Sequence, residues 1–279
     1  MPLKILINNE ILDAENAKIS VRDRGFRFGD GVFETIPFYN KICYHFDYHM
    51  ERLKEGINSI GIYYSFLELK SQVENLINLN QIQDGFVRII ITRGEGSRGY
   101  MPTYETEPSL VIEIVERPKM ERQSAKLKIS KYRKIPSECL PSNQKLMNGL
   151  SYSLVKENAR KEGFFDGLML SIDDKICECG AANIFWFKGN KLYTPSLKSP
   201  CVAGVTRRII LELSPFEVIE GDFNYLSLSG ADEVFITNVT LGVYPVEIIE
   251  PSLFKNGKGY KKTNELNEIY LSDIKSKTL

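Results

Sequence analysis

The chain has 279 residues, 43% of them apolar and 26% charged, enough for a sizeable core in one large domain or two smaller ones. Its 36 Lys and Arg balance 36 Asp and Glu, so no basic excess argues for nucleic acid. Only two histidines are present, His45 and His49, which excludes a His-rich metal centre and moves acid–base work to Lys, Tyr or carboxylates.

Charge interrupts the N-terminal stretch MPLKILINNEILDAE too early for a secretory apolar segment, and no run approaches the roughly 18 apolar residues of a membrane span. Five scattered cysteines, an odd number, argue against a disulfide framework and fit reduced thiols in a cytoplasm. Cys177-Glu-Cys179 has no second cluster beside it and reads as small apolar filling, with no metal expected.

Leu3–Asn8 reads as a strand, Phe26–Asp30 as a turn and Gly31–Ile36 as a second strand. Asp47 is placed to cap a helix reaching about Ile60, with Met50, Leu53, Ile57 and Ile60 on its apolar face. Phe66–Leu79 repeats the pattern through Leu67, Leu69, Val73, Leu76 and Ile77. Strands over Gly85–Thr92 and Ser109–Val115 follow, then a polar, proline-containing stretch at 116–124 that reads as an interdomain linker. This bounds an N-terminal domain at 1–118 and a C-terminal one at 125–279.

The second half opens on a strand, Lys126–Tyr132, and a loop broken by Pro136 and Pro141. A helix near Gly149–Lys161 is stopped by Gly163. Short strands are expected at Gly167–Ser171, Asn183–Lys188, Lys191–Thr194, Glu233–Thr237 and Val243–Ile249, with Gly189-Asn190 as a hairpin turn. Helices are expected at Gly204–Leu213 and over the charged tail Lys261–Ile274. The fold class is α+β, two sheet-containing halves without internal repeats.

Gly94-Glu-Gly96-Ser-Arg-Gly99 matches the dinucleotide fingerprint, which also needs a helix opening at its third glycine to hold the pyrophosphate. Tyr100-Met-Pro102 and a further strand follow instead, so the glycines lie in a strand–strand loop. Arg93, Arg98 and Tyr100 in that loop could close over a carboxylate, since Arg suits bidentate recognition; the bland alternative is a solvated hairpin loop.

Several blocks stand in order along the chain: Phe28-Gly-Asp-Gly-Val-Phe-Glu-Thr35, His49-Met-Glu-Arg52-Leu, Lys145-Leu-Met-Asn-Gly-Leu150, Ile176-Cys-Glu-Cys-Gly-Ala-Ala-Asn-Ile-Phe-Trp186, Ala203-Gly-Val-Thr206 and Thr237-Asn-Val-Thr240 through Pro245-Val246. Together they resemble the signature blocks of fold-type IV pyridoxal-phosphate enzymes, the class IV aminotransferases. The resemblance covers nearly the whole chain. It implies two α/β domains of the D-amino-acid aminotransferase-like kind, pyridoxal 5'-phosphate as cofactor, and assembly as a homodimer.

By this resemblance Lys145 is the Schiff-base lysine and proton shuttle, and Glu178 is the partner of the pyridine nitrogen. Arg52, Val205, Thr206 and Thr240 match the phosphate positions. Thr206 opens a helix whose amide groups and positive dipole end suit a dianion. Taken singly, each residue has a plainer reading: a solvated lysine, a turn glutamate, a surface arginine, a capping threonine. The ordered combination outweighs those readings. A one-residue shift would replace Thr240 by Val239. Leu150 stands where the family often has a tyrosine near the cofactor, which removes one hydroxyl.

Three local features lean toward the family's 4-amino-4-deoxychorismate lyases: Lys145-Leu-Met-Asn148, the Glu178–Trp186 block with Lys188-Gly-Asn and Tyr193-Thr-Pro, and the Arg93–Tyr100 loop. That reading implies loss of pyruvate from the substrate, leaving 4-aminobenzoate, a folate precursor, with Arg98, Tyr100 and Asn238 as substrate contacts. The alternative is transamination of a D-amino acid, in a group that commonly has histidine where this chain has Tyr100. Branched-chain transamination fits the Gly/Arg-rich loop less well. A degenerate, non-catalytic homologue would lack Lys145 or Glu178, and both are present.

Overall fold

The computed structural model describes residues 2–102, 106–118 and 124–279. The chain divides into two units: Met1–Lys119 with Gln144–Asn148 and Ser276–Leu279, and Met120–Asn143 with Gly149–Lys275. Residues 119–123 of the expected linker lie outside the described residues. The segment around Lys145 goes with the first unit, although its sequence position lies in the second half. The reason is backbone pairing with the strand at Gly31–Tyr39: Phe33 N–H donates to Lys145 C=O at 3.1 Å, and Met147 N–H to Gly31 C=O at 3.0 Å.

The first unit contains β1 (Lys4–Ile7), β2 (Glu10–Asp13), α1 (Arg24–Phe28), β3 (Gly31–Tyr39), β4 (Ile42–Cys43), α2 (Phe46–Ser59), α3 (Leu69–Asn80), β5 (Gly85–Thr92) and β6 (Ser109–Glu116). Its six strands form an antiparallel sheet in the order β2-β1-β6-β5-β3-β4. Alternation puts Leu110, Ile112 and Ile114 of β6 on the buried face, beside Val87, Ile89 and Ile91 of β5. Met50, Leu53 and Ile57 of α2 and Val73, Leu76 and Ile77 of α3 complete that core. Each such fully buried side chain contributes about 1.5–3 kcal/mol.

The structure corrects three local expectations here. The N-cap of α2 is His45, in the left-handed region at φ 50°, and Asp47 lies in the first turn, where its charge still suits the helix dipole. Helix α3 begins at Leu69, so Leu67 is exposed rather than on the apolar face. Phe26–Asp30 overlaps a short helix, α1, created by Asp23, whose carboxylate accepts from the Gly25 and Phe26 amides.

The second unit contains β7 (Ala125–Ile129), α4 (Leu150–Lys161), β8 (Asp166–Leu170), β9 (Ile176–Cys179), β10 (Asn183–Lys188), β11 (Lys191–Pro195), α5 (Val205–Leu213), β12 (Glu217–Gly221), β13 (Glu233–Asn238), β14 (Gly242–Glu250), β15 (Phe254–Lys255) and most of α6 (Lys261–Lys277). Its mixed sheet runs β12-β11-β10-β13-β14-β7-β8-β9, with β15 added to β14. The β10–β11 hairpin turns at Gly189-Asn190, as its sequence predicts. Strand β9, Ile-Cys-Glu-Cys, is buried along its whole length, which removes the alternation that would announce a strand. Cys177 and Cys179 are buried in it, and burial pushes the Cys177 thiol up to about 12, so it stays protonated and inert.

Candidate active site

In the first unit, Lys145 is held by the backbone pairing of its segment to β3. Its ammonium lies 3.6 Å from the centroid of the Phe33 ring. Three residues further along the same segment, Asn148 donates to the Phe28 carbonyl at 3.3 Å. Lysine and support thus come from one short stretch laid against β3.

Arg52, on α2, is buried, and its guanidinium makes a two-pronged ion pair with Glu34 of β3: Nε to Oε1 at 2.6 Å and Nη2 to Oε2 at 2.8 Å. His49, one turn earlier on α2, places Nδ1 2.8 Å from the same Oε2. Burial alone would raise the Glu34 carboxyl, but Arg52 and His49 hold it well below its usual range. Burial also holds His49 below its ordinary value, against the opposing pull of Glu34. The cluster fixes the orientation of Arg52, which the family resemblance matches to a phosphate position.

The loop after β5 is tied to α1. Arg24 donates from Nη1 to the Gly99 carbonyl at 2.9 Å and from Nη2 to the Tyr100 carbonyl at 2.7 Å, and its Nε pairs with Asp30 at 2.8 Å. Arg93 reaches the same Asp30 oxygen at 2.8 Å and the Ile60 and Gly61 carbonyls beyond. Gly94 has φ +84°, and an added Cβ would lie 1.9 Å from the Glu107 carbonyl, so this glycine serves a sharp strand–strand turn rather than a pyrophosphate. Arg98 and Tyr100 lie on this pinned loop and are exposed; the Tyr100 ring meets Phe28 at a centroid distance of 5.3 Å.

In the second unit, Glu178 lies on β9 with both carboxylate oxygens engaged. Oε1 accepts from Lys134 at 2.5 Å and from the Tyr152 hydroxyl at 3.1 Å. Oε2 accepts from the Val202 amide at 3.0 Å and from Asn183 Nδ2 at 3.5 Å. Asp166 supports the turn after β9 by accepting from the Gly180 and Ala181 amides at 3.1 and 3.2 Å.

Helix α5 starts at Val205, with Thr206 next to it and both buried. Its N-cap is Gly204, which brings no side-chain oxygen to the first-turn amides. A Cβ at Gly204 would lie 2.0 Å from Asn183 Oδ1. Asn183 also donates to the Val202 carbonyl at 2.9 Å, which links the start of α5 to the Glu178 carboxylate. Asn238 donates to the Ala181 carbonyl at 2.7 Å and accepts from the Thr240 and Leu241 amides at 2.9 and 2.7 Å. Its amide therefore shapes the turn that carries Thr240.

A family model described as amino-transferase class IV matches residues 31–249. The chain belongs to the class IV aminotransferase family. It is 29% identical to the D-alanine aminotransferase of Bacillus licheniformis over 287 residues, which cover 99% of each chain. It is 30% identical to the aminodeoxychorismate lyase of Bacillus subtilis strain 168 over 283 residues, 98% of this chain and 95% of that one. The fold matches the branched-chain amino acid aminotransferase of Escherichia coli with a TM-score of 0.93 at 24% identity, covering 100% of this chain and 97% of the other. The chain is thus an enzyme of a family whose members use pyridoxal 5'-phosphate, with the α+β, two-sheet architecture of fold type IV.

The residues present fit that cofactor. Gly204 supplies a helix start without a side-chain cap, as close approach of a phosphate requires. Glu178 supplies a buried acceptor and Lys145 a primary amine. Sequence reasoning missed Lys134 and Tyr152, which lie in a proline-broken loop and on α4 and carry no local pattern of their own. Glu34 and His49 stand in separate sequence blocks, and only the fold joins them into one cluster with Arg52. Leu150 is exposed at the position expected to carry a tyrosine, while the hydroxyl of Tyr152, one half-turn on, goes to Glu178.

Proposed function

We propose that this enzyme is a 4-amino-4-deoxychorismate lyase that releases pyruvate and 4-aminobenzoate, acting in the cytoplasm as a homodimer. The observation that carries the choice is Tyr100, exposed on a loop that Arg24 pins at two carbonyls, with Arg98 two residues before it. An exposed aromatic ring and a guanidinium on one loop suit a cyclic substrate that bears carboxylates better than a substrate as small as alanine. The relationship to the Bacillus subtilis lyase supports the same reading.

When bound, pyridoxal phosphate supplies an aldehyde that captures an amine and a ring that delocalises the charge left by a departing proton. Lys145 provides the amine that holds the group and the base that takes the C4 proton of the substrate. That proton balances the one needed by the enolate that departs and becomes pyruvate. Glu178 would face the ring nitrogen. Arg52, Thr240 and the Val205 and Thr206 amides would hold the phosphate, where the positive end of α5 favours a dianion. Arg98 and Tyr100 hold the substrate's carboxylate end.

Two assays on purified enzyme test the reading. Formation of 4-aminobenzoate and pyruvate from aminodeoxychorismate without any keto acid is the expected result. The second reading, D-amino-acid transamination, is favoured by the relationship to D-alanine aminotransferase. Transfer of the amino group from D-alanine to 2-oxoglutarate, with no lyase turnover, would overturn the first choice.

A further inference from the structure

Among the described residues, four donors converge on the Glu178 carboxylate. The Lys134 ammonium and the Tyr152 hydroxyl point at Oε1; the Val202 amide and the Asn183 amide nitrogen point at Oε2. The Tyr152 hydroxyl accepts from Lys134 while it donates to Glu178, so the chain of hydrogen bonds has one direction. A protonated Glu178 would no longer neutralise the buried Lys134 ammonium, and its O–H would have to turn round the Tyr152 hydroxyl, which now donates to it. Burying the ammonium is itself unfavourable unless it is paired. Yet the Lys134 and Glu178 side chains are each only 4% exposed. Lys134 is fixed further by its backbone N–H, which donates to the Leu170 carbonyl at 2.9 Å, and by the Tyr152 ring, 4.3 Å from Nζ to centroid. Burial holds the Cys177 and Cys201 thiols up at about 12 and raises the Tyr152 hydroxyl beyond its ordinary value, so none of these three competes as a base.

We propose that Lys134 and Tyr152 are positioning residues that hold Glu178 as a carboxylate, so that the proton shared between Glu178 and the cofactor's ring nitrogen resides on the nitrogen. This rests on the reading that Glu178 faces that nitrogen. The ammonium lies at Oε1, so it acts more strongly on the carboxylate than on a base at the carboxylate's other side, because Coulomb attraction falls with distance. The ring's capacity to accept charge then depends on a lysine that never touches the substrate. A neutral side chain at 134 would return the proton toward the carboxylate and weaken that capacity.

The test uses holoenzyme loaded with pyridoxal phosphate labelled with 15N in the ring, and reads the nitrogen resonance directly. In the native enzyme it is expected at the protonated position. Lys134→Met should move it toward that of neutral pyridine, Lys134→Arg should restore it, and Tyr152→Phe should move it the same way by less. Glu178→Gln is the control on the underlying reading: an unchanged resonance there shows that Glu178 does not face the nitrogen. A resonance that moves in Glu178→Gln but stays in place in a folded, cofactor-loaded Lys134→Met overturns the role of Lys134 alone. If Lys134→Met does not fold, Tyr152→Phe decides, and an unmoved resonance in it rejects the proposal.

Discussion

Arg52 owes its position to Glu34 and His49, and this has a consequence for stability. The three groups are buried together, and breaking such a set by removing one charge costs about 3–5 kcal/mol. Both titrating members are held below their ordinary values in the folded chain, so the unfolded chain binds more protons than the folded one as the pH falls. His49 acts first: its contribution is complete above the unfolded value of 6.5 and is lost as the pH drops below it. Glu34 follows below the unfolded value of 4.5. Urea unfolding between pH 8 and 4 is therefore expected to show stability declining from about pH 6.5 downward, steepening in the Glu34 range. In His49→Gln the upper part of that decline should flatten, since Gln can donate to Glu34 but does not titrate. An equal slope in both proteins would assign the acid loss to other groups.

At the scale of elements, the loop after β5 illustrates what holds function in place. Helix α1 is five residues long and far too short to persist alone. It exists because Asp23 caps it and accepts from Thr92 on β5, and because Arg24 then reaches across to the loop. Arg24→Lys keeps the charge but cannot span two carbonyls and Asp30 at once. Losing one such buried bond costs about 1–3 kcal/mol, so KM for the carboxylate substrate should rise roughly tenfold. The cofactor's absorbance and kcat should change much less, and an unchanged KM would remove this loop from substrate recognition. The sequence makes α2 and α3 legible because their apolar residues recur at helical spacing around one core. It hides α1, whose cap partner Thr92 lies 69 residues away, and β9, whose double burial erases the alternation. The same contrast holds for the site. Lys145, Glu178 and Arg52 stand in recognisable blocks, whereas Lys134 meets Glu178 across 44 residues and only the folded chain brings them together.

At the scale of the whole molecule, several large apolar side chains are exposed on α1 and the loop tied to it. Phe26 of α1 is 71% exposed, and Tyr100 and Met101 of the adjoining loop are 87% and 72% exposed. Large apolar side chains this exposed on two segments tied together by Arg24 offer a surface for interaction. Zero formal charge offers no net repulsion against association of two copies, and aromatic and methionine side chains are those enriched in interface cores. If this patch seals a homodimer, the enzyme will elute with light scattering at twice the mass of one chain. Phe26→Glu then places a charge in an apolar contact without touching the hydrogen bonds of Arg24, and should shift the protein toward single chains. Activity should fall along with the dimer fraction, because the loop that carries Arg98 and Tyr100 contributes to the same patch. A wild-type enzyme that is fully active as a single chain would separate the exposed patch from catalysis and leave the loop's hold on substrate to be explained by Arg24 alone.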